Sequence, residues 1–224
     1  MVRLVTVGVA AAVPAIRAVR WLPPVGGLLV GYAMVGLPAA VSGPSSPELL
    51  VILLRLAAVC AGLAVGFLLD DPSRPTTLTS PTPAWLPLAA RLGAGAVVLA
   101  AWWWATLATA LAAAGPASVV LPRGDLTLET AAVVAVAVAA GTLVWRRSAR
   151  GSVGLVAAPV FLAAVVVAAL LPDRVALLAA PGAPTWDAAH DRWMVVLIGA
   201  GTGALLAATW SPVSPRRTTA AASG

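Results

Sequence analysis

"LLVILLRLAAVCAGLAVGFLL", residues 49–69, decides the fold. A bilayer crossing needs about 20 mostly apolar residues, and this run supplies them with one ionisable side chain, Arg55. Barrel strands would alternate apolar and polar residues over about ten positions, whereas this run is continuous. Backbone groups in hydrocarbon must be paired within their own segment, so the run is read as a helix. Working outward, further apolar runs stand at 22–41, 88–114, 128–145, 153–171 and 193–210. The expectation is an all-α polytopic membrane protein with six transmembrane helices. The third run exceeds the minimum length and allows a tilt or an interfacial turn.

Composition points the same way. The 224 residues are 61% hydrophobic and 10% charged, with mean hydropathy +0.98, where a soluble domain carries about 25% charge. All 14 basic residues are arginine, and Lys, Asn and Gln are absent, as in a high-GC bacterial genome. The net charge of +6 does not make a nucleic-acid surface, because the arginines are scattered between apolar runs without interleaved aromatics. Cys60, alone in the chain, forms no internal disulfide and reads as a small hydrophobe.

Arginine placement orients the helices. With both termini cytoplasmic, Arg3, Arg17, Arg20, Arg74, Arg91, Arg146, Arg147, Arg150, Arg216 and Arg217 lie inside. Only Arg123, Arg174 and Arg192 lie outside. Glu48, Asp125, Glu129, Asp173, Asp187 and Asp191 gather at the outer ends. At the N-terminus, Arg3, Thr6, Ala10, Arg17 and Arg20 fall on one arc at about 100° per residue, which predicts an interfacial amphipathic helix over 1–21. An extension of the first span and a signal peptide are the other readings of that stretch. Residues 22–210 then form the transmembrane domain, and 211–224 a flexible cytoplasmic tail.

The polar break "GFLLDDPSRPTTLTSPTPAWLPLAAR", residues 66–91, faces the cytoplasm in this orientation. Asp71-Pro72 and Thr82-Pro83 each pair a capping residue with a proline suited to a first helical position, and Trp85 falls at headgroup level. The second inner loop carries Arg146, Arg147 and Arg150, readable as a topology anchor or as a partner contact.

Inside the spans polar chemistry is scarce. An intramembrane arginine is a functional hypothesis by default. Arg55 has three readings: part of a translocation pathway, a side chain snorkelling outward, or a partner of Glu48 or Glu129. Trp102, Trp103 and Trp104 cannot share one helix face, so they are expected to pack on other helices or on a lipidic substrate, with at least one ring meeting lipid. Gly27/Gly31, Gly62/Gly66 and Gly199/Gly203 permit close helix contact, within the chain or between copies. The outer segment "PDRVALLAAPGAPTWDAAHDRW", from Pro172, reads as a helix dipping toward the membrane over 175–180 and an interfacial turn, with Thr185 as a cap. Asp187, His190 and Asp191 on that loop read as polar surface rather than as a metal site.

Enzyme motifs do not appear. The chain has no lysine for a phosphate-binding loop and no paired histidines for zinc, and it lacks a G-x-S-x-G elbow. "GAGTGA", from Gly199, lies in an apolar span with no preceding strand and is not a dinucleotide loop. No catalysis and no resident cofactor or metal are expected of this chain.

Taken as a layout, these features resemble the membrane (permease) subunit of type-2 ABC exporters of the actinobacterial type. The features are the N-terminal amphipathic helix, six spans with both ends inside, the inner loop between spans two and three, and the dipping outer segment. The passage "LLDDPSRPTTLTSPTPAWLPLAAR" carries the local likeness. The resemblance implies a separate nucleotide-binding ATPase subunit as partner, contacted through Asp70, Asp71, Arg74 and Trp85 and flanked by Arg146, Arg147 and Arg150. A second copy or a homologous permease and membrane lipids are the further partners. The implied location is the bacterial plasma membrane, with Arg55 and Trp102 to Trp104 along a translocation pathway. An apolar interior favours a hydrophobic or lipid-like cargo. The alternatives are an accessory or scaffold subunit of another membrane complex, and the solute-binding subunit of an importer.

Overall fold

The computed structural model describes residues 16–41, 45–70, 85–147 and 152–209. They form α1 (Leu22–Val41), α2 (Pro47–Leu68), α3 (Trp85–Ala114), α4 (Arg123–Arg147), α5 (Val153–Ala169) and α6 (Trp186–Thr209). Short 3₁₀ turns at Gly115–Val120 and Asp173–Val175 follow α3 and α5. Five of the six helices are long and apolar enough to cross a membrane. The exception is α5, which at 17 residues reaches about 25 Å at 1.5 Å per residue. Its outward face, including Leu155, Val160, Val166 and Val167, is as exposed as it is apolar. Such a surface suits lipid rather than water, and the chain is a multi-pass membrane protein.

Local chemistry fixes the helix ends. Ser46 caps α2, its Oγ accepting from the Leu49 amide at 3.3 Å, with Pro47 in the first turn and Glu48 against the positive end of the dipole. Asp125 opens α4, while Arg146 and Arg147 close it, each sign matching its end of the helix dipole.

The helices run up and down. The Ser45 amide reaches the Ala113 carbonyl at 3.1 Å, so the start of α2 lies beside the end of α3. The Gly154 amide donates to Asp70 Oδ1 at 2.7 Å, so the start of α5 lies beside the end of α2. The molecule thus has a Ser46 end, where α2, α4 and α6 begin, and an Asp70 end, where α3 and α5 begin. Central α2 touches α1, α3, α4 and α5. Leu50, Leu54 and Ala57 of α2 are fully buried against Val35, Trp103, Leu107 and Leu126. Gly31 and Gly62 set the spacing around it. A Cβ on Gly31 would stand 3.0 Å from the Trp102 ring, and one on Gly62 would enter the ring of Phe161 on α5.

Several boundaries differ from the expectation. The third and fourth spans begin earlier, at Trp85 and Arg123, placing Asp125 on a helix. The last begins at Trp186 rather than at 193, so Asp187, His190, Asp191 and Arg192 form its first turns instead of a wet loop. Residues 175–180 are not a dipping helix. They leave the 3₁₀ turn in a bent path, held where Arg192 donates to the Ala176 and Arg174 carbonyls and Trp193 Nε1 donates to Leu177 O at 2.8 Å. The expected interfacial helix over 1–21 falls largely outside the described residues. Its last part, from Ile16, ends in a turn whose Val19 is buried on Val65 and Leu68. The two capping positions at Asp71 and Thr82 and the tail from 211 also lie outside them.

Candidate functional site

Three helices starting at the Ser46 end each carry one ionisable side chain inward at a similar depth. Arg55 of α2, Glu129 of α4 and His190 of α6 lie about 12, 9 and 6 Å from their helix starts at 1.5 Å per residue. Arg55 donates from Nε and Nη2 to the two carboxylate oxygens of Glu129, both at 2.7 Å. This is the two-pronged geometry for which guanidinium and carboxylate are matched. Glu129 is 3% exposed and Arg55 18%. Of the partners open to Arg55, the structure selects Glu129, because Glu48 points to the exterior at the mouth of α2.

His190 completes the cluster, and the reading of it as polar surface is overturned. Its side chain is 8% exposed, stacked on the Trp186 ring at 4.4 Å between centroids. Asp187 and Asp191 stay exposed. His190 Nδ1 lies 2.8 Å from the Trp186 carbonyl. A carbonyl only accepts, so Nδ1 carries a hydrogen. Nε2 lies 3.1 Å from Glu129 Oε1. That separation is within ion-pair range, but the ring N–H direction misses the oxygen, and the buried Nε2 makes no hydrogen bond. Trp186 Nε1 donates to Asp125 Oδ2 at 2.7 Å, and the Arg55 guanidinium carbon sits 5.8 Å from the Trp186 ring centre, within cation–π range.

Two members of the cluster, Arg55 and Glu129, line a cavity of about 300 Å³. Leu54, Ala58, Leu126, Val133, Val165 and Ala168 make apolar walls, and Arg55, Glu129 and Thr130 are the polar lining. Thr130 returns its hydroxyl proton to Leu126 O at 2.8 Å, leaving the ion pair as the main polar feature. Arg55 uses Nε and Nη2 on Glu129, and Nη1 makes no hydrogen bond among the described residues. Exposed Ile52 and Leu56 line the cavity too, so its mouth opens on the apolar surface of the protein. A space with apolar walls and one guanidinium donor fits an amphiphile, its chain along the walls and an acceptor at Arg55.

The tryptophans divide by role. Trp102 Nε1 donates to Leu28 O of α1 at 2.8 Å, and buried Trp103 donates to Thr127 Oγ1 of α4 at 3.1 Å. Trp104 is 62% exposed and meets the surroundings. Trp103 and Thr130 also line a second, largely apolar groove of about 430 Å³ among α2, α3 and α4, so they form the partition between the two spaces.

At the Asp70 end the structure gathers Asp70, Trp85, Arg146 and Arg147, while Asp71, Arg74 and Arg150 lie outside the described residues. Asp70 is turned inward. Its carboxylate accepts the Gly154 amide, and its carbonyl receives Arg91 Nη1 at 3.5 Å. Burial pushes the Asp70 carboxyl up from the ordinary range, opposed by the Gly154 and Val153 amides and by the Arg20 charge. Arg91 is buried in α3 rather than displayed on the inner surface. Trp85 is exposed, as is Arg147. The pairing of Arg55 with Glu129 was among the sequence readings; the place of His190 beside it was missed because the polar start of α6 ends the apolar run at Trp193. Comparison with protein-family models, with curated proteins and with solved structures gives no match to this chain.

Proposed function

We propose that the chain is the membrane-embedded permease subunit of an ATP-driven exporter whose cargo is hydrophobic or lipid-like. The observation that carries this reading is the cavity beside Arg55 and Glu129, apolar-walled, open to the apolar surface and lined by a single ion pair. A sugar or amino-acid carrier would need several convergent polar groups, whereas one donor among apolar walls suits a chain with a small polar head.

In the orientation set by the arginines, the Ser46 end faces outward and the Asp70 end faces a cytoplasmic ATPase. The Gly154–Asp70 bond and the Gly62–Phe161 contact tie α5 to α2. The far part of α5 supplies Val165, Ala168 and Ala169 to the cavity wall. Motion imposed at the Asp70 end therefore has a path to the cavity through α5, a rigid-body input to alternating access.

The test has two arms. The tagged protein is purified from native membranes in mild detergent, with Trp85→Ala and Arg146→Ala/Arg147→Ala variants compared. Asp70 is left intact because its carboxylate also caps α5. A stoichiometric nucleotide-binding ATPase, lost in the variants at unchanged thermal stability, is the expected result. Recovery with another membrane complex and no ATPase returns the accessory-subunit reading. In the second arm, a diazirine-bearing fatty acyl probe should label the α2 and α5 cavity walls, and Ala168→Trp should abolish that labelling. Labelling unaffected by Ala168→Trp rejects the cavity as the cargo site.

A further inference from the structure

We infer that His190 and Glu129 form a proton-binding site that governs how firmly Arg55 is held, and through it the polar end of the cavity. The proton site stands on geometry alone; its consequence for cargo rests on the function proposed above.

With Nδ1 committed to the Trp186 carbonyl, a neutral ring presents a bare lone pair at Nε2. Glu129 Oε1 lies 3.1 Å from that nitrogen, acceptor beside acceptor and off the lone-pair direction, in a buried place where Nε2 makes no hydrogen bond. Buried polar atoms are rarely left so. One proton on Nε2 turns the contact into a charge-assisted pair after a small ring rotation. The site is one proton short of satisfaction, and the proton is its ligand.

The groups facing this ring from every packed element can be named. From α4 come Glu129 and Asp125, the latter through Trp186, and from α2 comes Arg55. The sequence of α5 has no ionisable residue. Arg174 and Arg192 are occupied at the bent segment, where Arg192 donates to the Ala176 and Arg174 carbonyls. Asp173, Asp187 and Asp191 are exposed. With a neutral ring the cluster of Arg55, Glu129 and Asp125 sums to one negative charge, and the added proton brings it to zero. Glu129 Oε1 is the atom shared by His190 Nε2 and Arg55 Nη2. A protonated ring therefore competes with Arg55 for Oε1 and releases guanidinium donors toward the cavity. Proton uptake and capture of an anionic head favour one another, and by linkage the effect is reciprocal.

The chain has one histidine, so its ring nitrogens give unambiguous ¹⁵N NMR signals in the full-length protein in nanodiscs without cargo. The expected high-pH state has hydrogen on Nδ1 and none on Nε2, and acid adds the second hydrogen at Nε2. A high-pH ring carrying its hydrogen on Nε2 overturns the proposal in the wild-type protein alone. In a separate arm, octyl sulfate, which stays anionic throughout, should bind at least about 5-fold more tightly in acid than at pH 8, and His190→Gln should flatten that dependence. A ring that titrates as expected without any change in octyl sulfate binding keeps the proton site and rejects its control of the cavity. Absence of octyl sulfate binding at any pH rejects the cargo reading instead.

Discussion

The ion pair between Arg55 and Glu129 makes a quantitative prediction about what each half does alone. Two unit charges about 4 Å apart attract by about 4 kcal/mol at an effective dielectric constant near 20. Breaking a buried pair from one side costs about 3–5 kcal/mol, mostly because the abandoned charge stays desolvated. Glu129 is the more deeply buried partner at 3% exposure, so Arg55→Met, which strands the carboxylate, should be the worse single change, near the upper end of that range. Glu129→Met strands a guanidinium that can swing toward the cavity and should fall near the lower end. The double variant Arg55→Met/Glu129→Met leaves no buried charge in the pair and fills similar volume, so it should lie within about 1–2 kcal/mol of wild type, since apolar replacement of a buried pair is often neutral or better. Reversible unfolding by SDS in mixed micelles measures all four proteins. The coupling energy from this cycle should reach several kcal/mol. Additive losses, with the double variant as damaged as the sum of the singles, would refute the pair as the organising contact between α2 and α4.

Other consequences follow from the packing and the caps. Asp70→Ala should cost about 1 kcal/mol by removing the acceptor for the start of α5, while Asp70→Asn should recover most of it, as read by thermal unfolding in detergent. Because burial raises the Asp70 carboxyl, the folded state holds its proton more tightly than the unfolded chain; this contribution is full at pH below 3.8 and is lost as pH rises through the raised folded value. Asp70→Asn should therefore flatten the fall in stability across that interval, and an unchanged profile rejects the assignment. Gly62→Ala should destabilise by about 1–3 kcal/mol through overpacking, with partial rescue by Phe161→Leu in the same assay. Trp103→Phe and Thr127→Val should each cost about 1 kcal/mol and no more together, whereas Trp104→Phe should stay within about 0.5 kcal/mol.

The helices that could be read from the sequence are those whose ends are chemically marked. The run 49–69 is preceded by Ser46, Pro47 and Glu48 and stops at Asp70, and the observed α2 agrees to within two residues. The start of α6 was hidden because Asp187, His190, Asp191 and Arg192 look like loop residues to a hydropathy window. Two of those four are consumed internally, His190 by the cluster and Arg192 by the bent segment, and such use is a tertiary fact. The arrangement of Arg55, Glu129 and His190 was nonetheless within reach. In an up-and-down bundle, the second, fourth and sixth helices start at the same end, so ionisable groups a similar depth into each become neighbours. Misplacing the start of α6 was enough to break that inference. The inward turn of Asp70 had no such signal, since its partner is a backbone amide 84 positions away.

The cap that Asp70 lends to α5 also has a meaning for biogenesis. Ser152 offers α5 no side-chain cap of its own, Pro159 within it supplies no backbone N–H, and its 17 residues fall short of the usual spanning length of about 20. Its first turn is completed by a side chain made some eighty residues earlier in synthesis. The fifth helix should therefore leave the insertion machinery late and only against an already placed α2, and a truncated chain beginning after residue 85 should fail to hold it in the bilayer.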